Sequence, residues 1–331
     1  MSDSGQTTHP FDRRDFLVRT AKAGAAIVAA GGVGLWLHDR KGPSANAVSG
    51  TVSLPDFSLP STGPKMSIVT GADRVKTVNR ALAALGGIER FIKSGDRVVL
   101  KVNAAFASPP ALSATSHPDL VAEVARLCLR AGAASVIVTD NPINDPQSCF
   151  ALTGIARAAE SAGAKIALPT PSSFKPTTLA DATLIKDWPL LFEPFQGATK
   201  LIGLAPVKNH HRSGASLTMK NWYGLLGGRR NVFHQDIHTI IFELARLVRP
   251  TLVILDGTTT MLTNGPTGGS LDDLKATNTM IASTDGVAAD AFGATLLGKT
   301  AASLPFIGKA AAAGLGTADF ESLNPLRDHV D

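Results

Sequence analysis

Residues 97–102 read RVVLKV, held between the turn Lys93-Ser94-Gly95-Asp96 and Asn103. A β-branched apolar run between such punctuators is a strand signal. Upstream, residues 75–91 have helical apolar spacing and residues 66–70 form a short apolar strand. Downstream, Ser116-His117-Pro118 opens a helical stretch over 119–130, Gly132 closes it, and SVIVT (135–139) is a second strand ending at Asp140. The rhythm continues with a helix over 150–162, strands at 165–168 and 201–204, a helix over 237–248, strands at 252–255 and 280–283, and an Ala-rich helix over 287–297. Continuous apolar strands alternating with amphipathic helices predict an α/β fold, with mostly parallel sheet and helices on both faces. A body of roughly 280 residues suits one large domain or two lobes around a central cleft.

In such folds ligands collect beyond the carboxyl ends of the strands. That rule selects Asn103, Asp140-Asn141, Lys208 with His210, Asp256 and Asp285, each following a strand. An isolated Asp there is by default a helix N-cap, which suits Asp285 best. Lys101 differs, because it lies inside an apolar strand, where a lysine needs an anionic partner.

The densest polar block is residues 208–238, KNHHRSGASLTMKNWYGLLGGRRNVFHQDIH, holding Lys208, Lys220, Asn221, the Gly227-Gly228-Arg229-Arg230 turn and four of the chain's 8 histidines. It is too polar for a core element and too varied for a solvated charge face, so it reads as the lining of a site. Three chemistries fit. His234 and His238, four residues apart, share a face if both are helical, and with His210 and a carboxylate they would bind a divalent metal. Alternatively Lys101, Lys208, Lys220 and Arg229 or Arg230 converge on a small anion, with Asn103, Thr115, Asn221, Asp140 and Asp256 completing the subsite and Trp222 as an aromatic wall. Thirdly, Lys208 or Lys220, its pKa lowered by neighbouring cations, acts as base or nucleophile with His210 or His234 as acid. The segment 264–269 (NGPTGG) lacks the P-loop Lys-Ser/Thr and the dinucleotide spacing, and no Gly-x-Ser-x-Gly elbow occurs.

Residues 1–47 stand apart. Arg13-Arg14 precedes an apolar, Gly-rich stretch at 23–37, and Ala45-Asn46-Ala47 offers small residues for cleavage. This resembles a twin-arginine (Tat) export signal, implying passage through the Tat translocase to the periplasm or another extracytoplasmic space. An uncleaved membrane anchor is the alternative. Residues 48–64 read as a Pro/Ser/Gly linker, 65–320 as the α/β domain and 321–331 as a C-terminal tail. Beyond the signal the chain has 26 basic against 23 acidic residues, too mild a balance for a nucleic-acid surface. Two cysteines, Cys128 and Cys149, cannot build an iron–sulfur centre. They leave a disulfide open.

Several motifs together resemble the domain of unknown function 362 family: GGIERFIKSGDRVVLKVN (86–103), ATSHPDLV (114–121), TDNPINDPQSCFALTGI (139–155), the block 205–238, LDGTTTMLTNGPTGG (255–269), STDGVAADAFGATLLG (283–298) and GLG (314–316). The similarity covers nearly all of 66–316, in order. This chain has Val102 inside the Lys-Pro-Asn triplet and the bulkier pair Trp222-Tyr223, neither of which removes a polar group. Some members carry ferredoxin-like cysteine clusters; this chain has none. The resemblance implies a motif set and no established reaction. Two functions therefore stand: an exported enzyme acting on a small anionic substrate, metal-assisted or not, or a protein holding an anion, metal or cofactor for a redox partner.

Overall fold

The strand predicted at 97–102 forms β2 (Arg97–Lys101), near the middle of a nine-stranded sheet. The computed structural model describes residues 13–36, 51–60 and 62–331. Arg13–Trp36 is a helix (α1) forming a unit by itself, and residues 44–331 form the other unit. No helix among the described residues is long and apolar enough to cross a membrane. The proposed cleavage residues Ala45-Asn46-Ala47 lie outside the described residues.

In chain order the body consists of β1 (Met66–Thr70), α2 (Arg74–Ala84), β2, α3 (Pro118–Arg130), β3 (Ser135–Thr139), α4 (Pro146–Leu152), α5 (Ile155–Ser161) and β4 (Lys165–Ala167). A separate hairpin follows, β5 (Phe174–Thr177) with β6 (Trp188–Leu191). Then come β7 (Lys200–His210), β8 (Gly214–Ser216), α6 (Thr218–Asn221), α7 (Ile237–Leu247), β9 (Leu252–Met261), β10 (Leu274–Ser283), α8 (Gly286–Leu296), α9 (Pro305–Ala312) and β11 (Leu326–His329).

The sheet order is β11-β1-β10-β9-β7-β2-β3-β4, with β8 hanging from β7. Strands β9, β7, β2, β3 and β4 run parallel. β10 is antiparallel to both its neighbours, so the sheet is mostly parallel and mixed at that side. Alternate strand residues feed two cores. Leu100, Ile202 and Ile254 pack in the core that also holds residues of α2, α3 and α5, while Val99, Leu201 and Val253 pack with residues of α6, α7, α8 and α9. Helices thus cover both faces of the nine-stranded sheet, with the β5–β6 hairpin as a separate two-stranded sheet.

Departures from the expected elements have local causes. The helix expected over 75–91 breaks at Gly86-Gly87, whose φ values of 98° and 82° no helix accepts. The helix expected over 150–162 splits at Gly154 (φ 72°) into α4 and α5. β7 and β9 run well beyond their apolar halves, so Lys208, His210 and Asp256 stand within strands and not after them. The expected linker is a strap: Leu54 and Phe57 are buried, Phe57 N–H donates to Arg249 O (2.9 Å), and Val52 N–H to Pro176 O (2.9 Å). The expected tail contributes β11, which pairs in parallel with β1. Cys128 and Cys149 are both buried free thiols.

The chain leaves β2 toward β3 and β4 on one side, and returns through β7 to β9 on the other. The strand order therefore reverses between β2 and β7. The carboxyl ends of these two strands flank the crevice where an open α/β sheet offers a site.

Candidate functional site

A cavity of about 420 Å³ opens at that reversal, a size suited to a small organic ligand. Asn103 and Phe106 come from the loop after β2, Asp140 and Asn141 from the end of β3, and Lys208 and His210 from the extended half of β7. Lys220, Asn221, Tyr223, Arg230 and His234 come from the α6 region, and residues 264–267 close one side.

Beneath the cavity lies a buried ion pair. Lys101 Nζ stands 2.7 Å from Asp140 Oδ1, with side-chain exposures of 0% and 3%. The ammonium also donates to Val102 O (2.7 Å) and Asn221 O (2.9 Å), so its donors are spent inside the protein. Asp140 in turn accepts from the backbone N–H of Ala104 (2.6 Å) and Asn141 (2.9 Å), locking the loops after β2 and β3 together. Gly224 packs against this pair: a Cβ there would overlap the Asp140 carboxylate and lie 2.8 Å from Lys101 Nζ. The anionic partner expected for Lys101 is present, and it takes Lys101 out of reach of a ligand.

Lys208 is only 1% exposed. Its ammonium donates to Ala114 O and lies 5.2 Å from the centre of the Phe106 ring. Burial, then the neighbouring Lys220 charge, pushes its pKa down to about 7. Lys220 is partly exposed, and its ammonium lies 5.2 Å from the Tyr223 ring centre. It makes no hydrogen bond or ion pair among the described residues; burial and then the Arg230 charge push it to about 7 as well. A four-residue helix positions it. Asp290, on α8, accepts from the backbone N–H of Thr218 (2.8 Å) and Met219 (3.0 Å) and so caps α6. Burial pushes the Asp290 carboxyl up to about 7 against these donors.

The histidines form a column. His210 stacks on His211 (4.9 Å between centroids) and on His234 (6.0 Å), and Tyr223 meets His234 edge-on at 5.2 Å. Their proton states follow from their partners. Nδ1 of His210 accepts from the backbone N–H of Arg212 and Ser213, both at 3.2 Å, so its proton sits on Nε2. Burial and the surrounding cations press its pKa to about 2, so it remains neutral. The Tyr223 hydroxyl donates to Arg230 O, so His234 Nδ1 is the donor toward that hydroxyl (3.1 Å) and toward Asn231 O (3.2 Å). His234 Nε2 is left as a free base, with its pKa lowered by burial and by Lys220. One imidazole offers an N–H and the other a lone pair.

Of the remaining expected residues, Asn103, Asp140 and Asn221 line the cavity and the others do not. Thr115 is buried in the loop before α3. Asp256 lies 2.7 Å from Arg74 Nε in a separate ion pair. Arg229 is exposed, and its neighbour Arg230 lines the cavity instead, donating to Asn141 O (2.7 Å) and Pro142 O (2.9 Å). His234 precedes α7 in a 3-10 turn, whereas His238 lies inside α7 and stacks on Phe306, so the two do not share a face toward the cavity. Among the described residues no three His, Cys, Asp or Glu side chains are grouped to hold one ion. The Nε2 proton of His210 also opposes ligation at that nitrogen. Trp222 turns away to pack over Gly203, and Tyr223 supplies the aromatic wall.

Sequence reasoning missed Tyr223, Gly224 and Asp290. A signal existed for Asp290: a lone acid in the apolar helix 286–296 (GVAADAFGATL) needs donors as much as a lysine in a strand needs an acid.

A family model described as "Domain of unknown function (DUF362)" matches residues 98–295, a span that includes Lys101, Asp140 and the histidines above. The chain belongs to the DUF362 family. A curated relative, a thylakoid-associated protein of Synechocystis sp., is 26% identical over 254 residues, covering 74% of this chain and 76% of that protein. Among solved structures, the lactate racemase apoprotein of Thermoanaerobacterium thermosaccharolyticum aligns with a TM-score of 0.40 and 14% identity, over 73% of this chain and 58% of that one. A structural-genomics protein of Thermotoga maritima aligns with a TM-score of 0.32 and 12% identity, over 55% and 50%. This DUF362 chain thus spans only about half the length of these solved structures.

Proposed function

We propose that this DUF362 protein is an enzyme that binds a small organic anion between Lys208 and Lys220 and moves a proton on it, with His234 Nε2 as the base that takes and returns the proton and the His210 Nε2–H as a hydrogen-bond donor to the charge that develops. The observation that carries this reading is the Lys220 ammonium. It faces the cavity with no hydrogen bond or ion pair among the described residues, beside a second lysine pushed to about 7. Two such amines supply charge to an anion at neutral pH and titrate where proton transfer is efficient. The one cavity carboxylate, Asp140, is already neutralised by Lys101, so a bound anion meets net positive charge.

The twin arginine and the following apolar stretch support export of the chain by the Tat route, and the thylakoid-associated relative is compatible with a place outside the cytoplasm. Replacing Arg13→Lys together with Arg14→Lys should abolish export; normal yield beyond the cytoplasmic membrane would refute the assignment.

The function is tested by incubating a panel of small carboxylates and phosphate esters with the protein in deuterated water and following exchange by NMR. Turnover lost in His234→Gln with binding retained supports the enzyme. Binding without turnover by the wild type identifies an anion-holding protein instead.

A further inference from the structure

The Asn103 side chain narrows the ligand further. It is 8% exposed, lines the cavity, and its Oδ1 is buried without a partner. Its orientation is set by a relay. Asn221 Nδ2 donates to Lys101 O (3.3 Å) and Leu204 O (3.1 Å), which turns Asn221 Oδ1 toward Lys101 Nζ and Asn103 Nδ2, each at 3.3 Å. Asn103 must donate to that oxygen, so its own Oδ1 is the atom left over. The backbone on which it sits is held as well, through Asn103 N–H to Ser116 Oγ (2.8 Å) and Ser116 N–H to Asn103 O (2.8 Å). A fixed, buried acceptor without a donor is costly, and a ligand that supplies one recovers the loss.

We propose that the ligand is a hydroxylated organic anion, whose hydroxyl donates to Asn103 Oδ1 while its carboxylate or phosphate group meets Lys220 and Lys208. This rests on the anion-site reading above and adds the chemical class. A ketone or an unsubstituted chain brings no donor to Oδ1. An ammonium group brings donors, but Lys208, Lys220 and Arg230 surround it with like charge. A neutral hydroxyl satisfies the acceptor without that repulsion. Phe106, Tyr223 and Ile143 give the carbon body apolar walls, and the volume of about 420 Å³ exceeds what an inorganic ion fills.

The test is isothermal titration of the full chain near pH 6 with three matched pairs: malate against succinate, mandelate against phenylacetate, and glycerol phosphate against propyl phosphate. The expected result is at least one pair in which the hydroxylated member binds about tenfold tighter or more. In Asn103→Ala that ratio should fall to about one, whatever the change in affinity common to both members. Equal binding within every pair that binds overturns the hydroxyl assignment and leaves the anion site intact, as does a preference that survives in both Asn103→Ala and Asn103→Ser. Failure of all six compounds to bind sinks the anion-site reading and this inference with it. The carboxylate and phosphate pairs distinguish the two sources of charge.

Discussion

Lys101 Nζ lies 2.7 Å from Asp140 Oδ1, at the point where the sheet reverses its strand order. The pair ties the end of β2 to the end of β3. Through Asn221 it also fixes the α6 region that carries Lys220. Removing one partner strands a buried charge, whereas removing both removes the need for either.

Asp140→Asn should therefore destabilise the protein by about 3–5 kcal/mol, and Lys101→Met combined with Asp140→Leu by markedly less. A double-mutant cycle in urea checks this. Additive losses would mean that the two groups do not act as a pair.

Gly224→Ala should lower stability by about 1–3 kcal/mol, because the new methyl overlaps the Asp140 carboxylate. For a chain of this size that is a fall of about 2–4 °C in Tm per kcal/mol, readable by calorimetry. An unchanged Tm would show that the floor of the site gives way easily.

Protonation has two opposite consequences. Lys208 and Lys220 have folded pKa values of about 7, below the ordinary lysine value of 10.5, so between these limits the unfolded chain binds more protons. Their contribution to stability without ligand thus rises with pH across that window, and Lys220→Met should flatten the rise. Anion binding favours the charged ammonium, so affinity should fall as pH climbs through about 7, by up to tenfold per pH unit for each lysine that titrates. Titration calorimetry in buffers of different ionisation enthalpy would register proton uptake on binding at and above that point, and none well below it.

Asp290→Ala should cost about 1–2 kcal/mol through loss of the α6 cap, and should weaken anion binding although Asp290 does not line the cavity. Asp290→Asn, which keeps one acceptor, should be milder on both counts. Unaltered affinity in Asp290→Ala would show that α6 holds its position without the cap.

Much of the framework was legible one element at a time. The β-branched runs at 97–101 and 135–139 and the capped helix at 118–130 stand where local pattern puts them. What local pattern concealed were features decided by partners far along the chain. The antiparallel entry of β10, the strap at 51–60 and the β11 edge strand carry no periodicity that distinguishes them from a parallel strand, a linker and a tail. Asp256 looked like a strand-end ligand because β9 continues past its apolar half, a continuation made by pairing with β10.

The sequence by itself determined the α/β class, the family, and the concentration of lysine, histidine and arginine side chains in residues 208–238, because periodicity and residue chemistry are local properties. It also required an acid for Lys101. Tertiary structure alone decided which acid, and that Asp140 lines the cavity while Lys101 lies behind it. It alone separated His238 from His234, replaced Arg229 by Arg230 and left Asn103 Oδ1 without a donor. The physical reason is that a side chain's charge, proton state and reach depend on its burial and its partners, and across β2, β3, β7 and α6 those partners are brought together by the sheet.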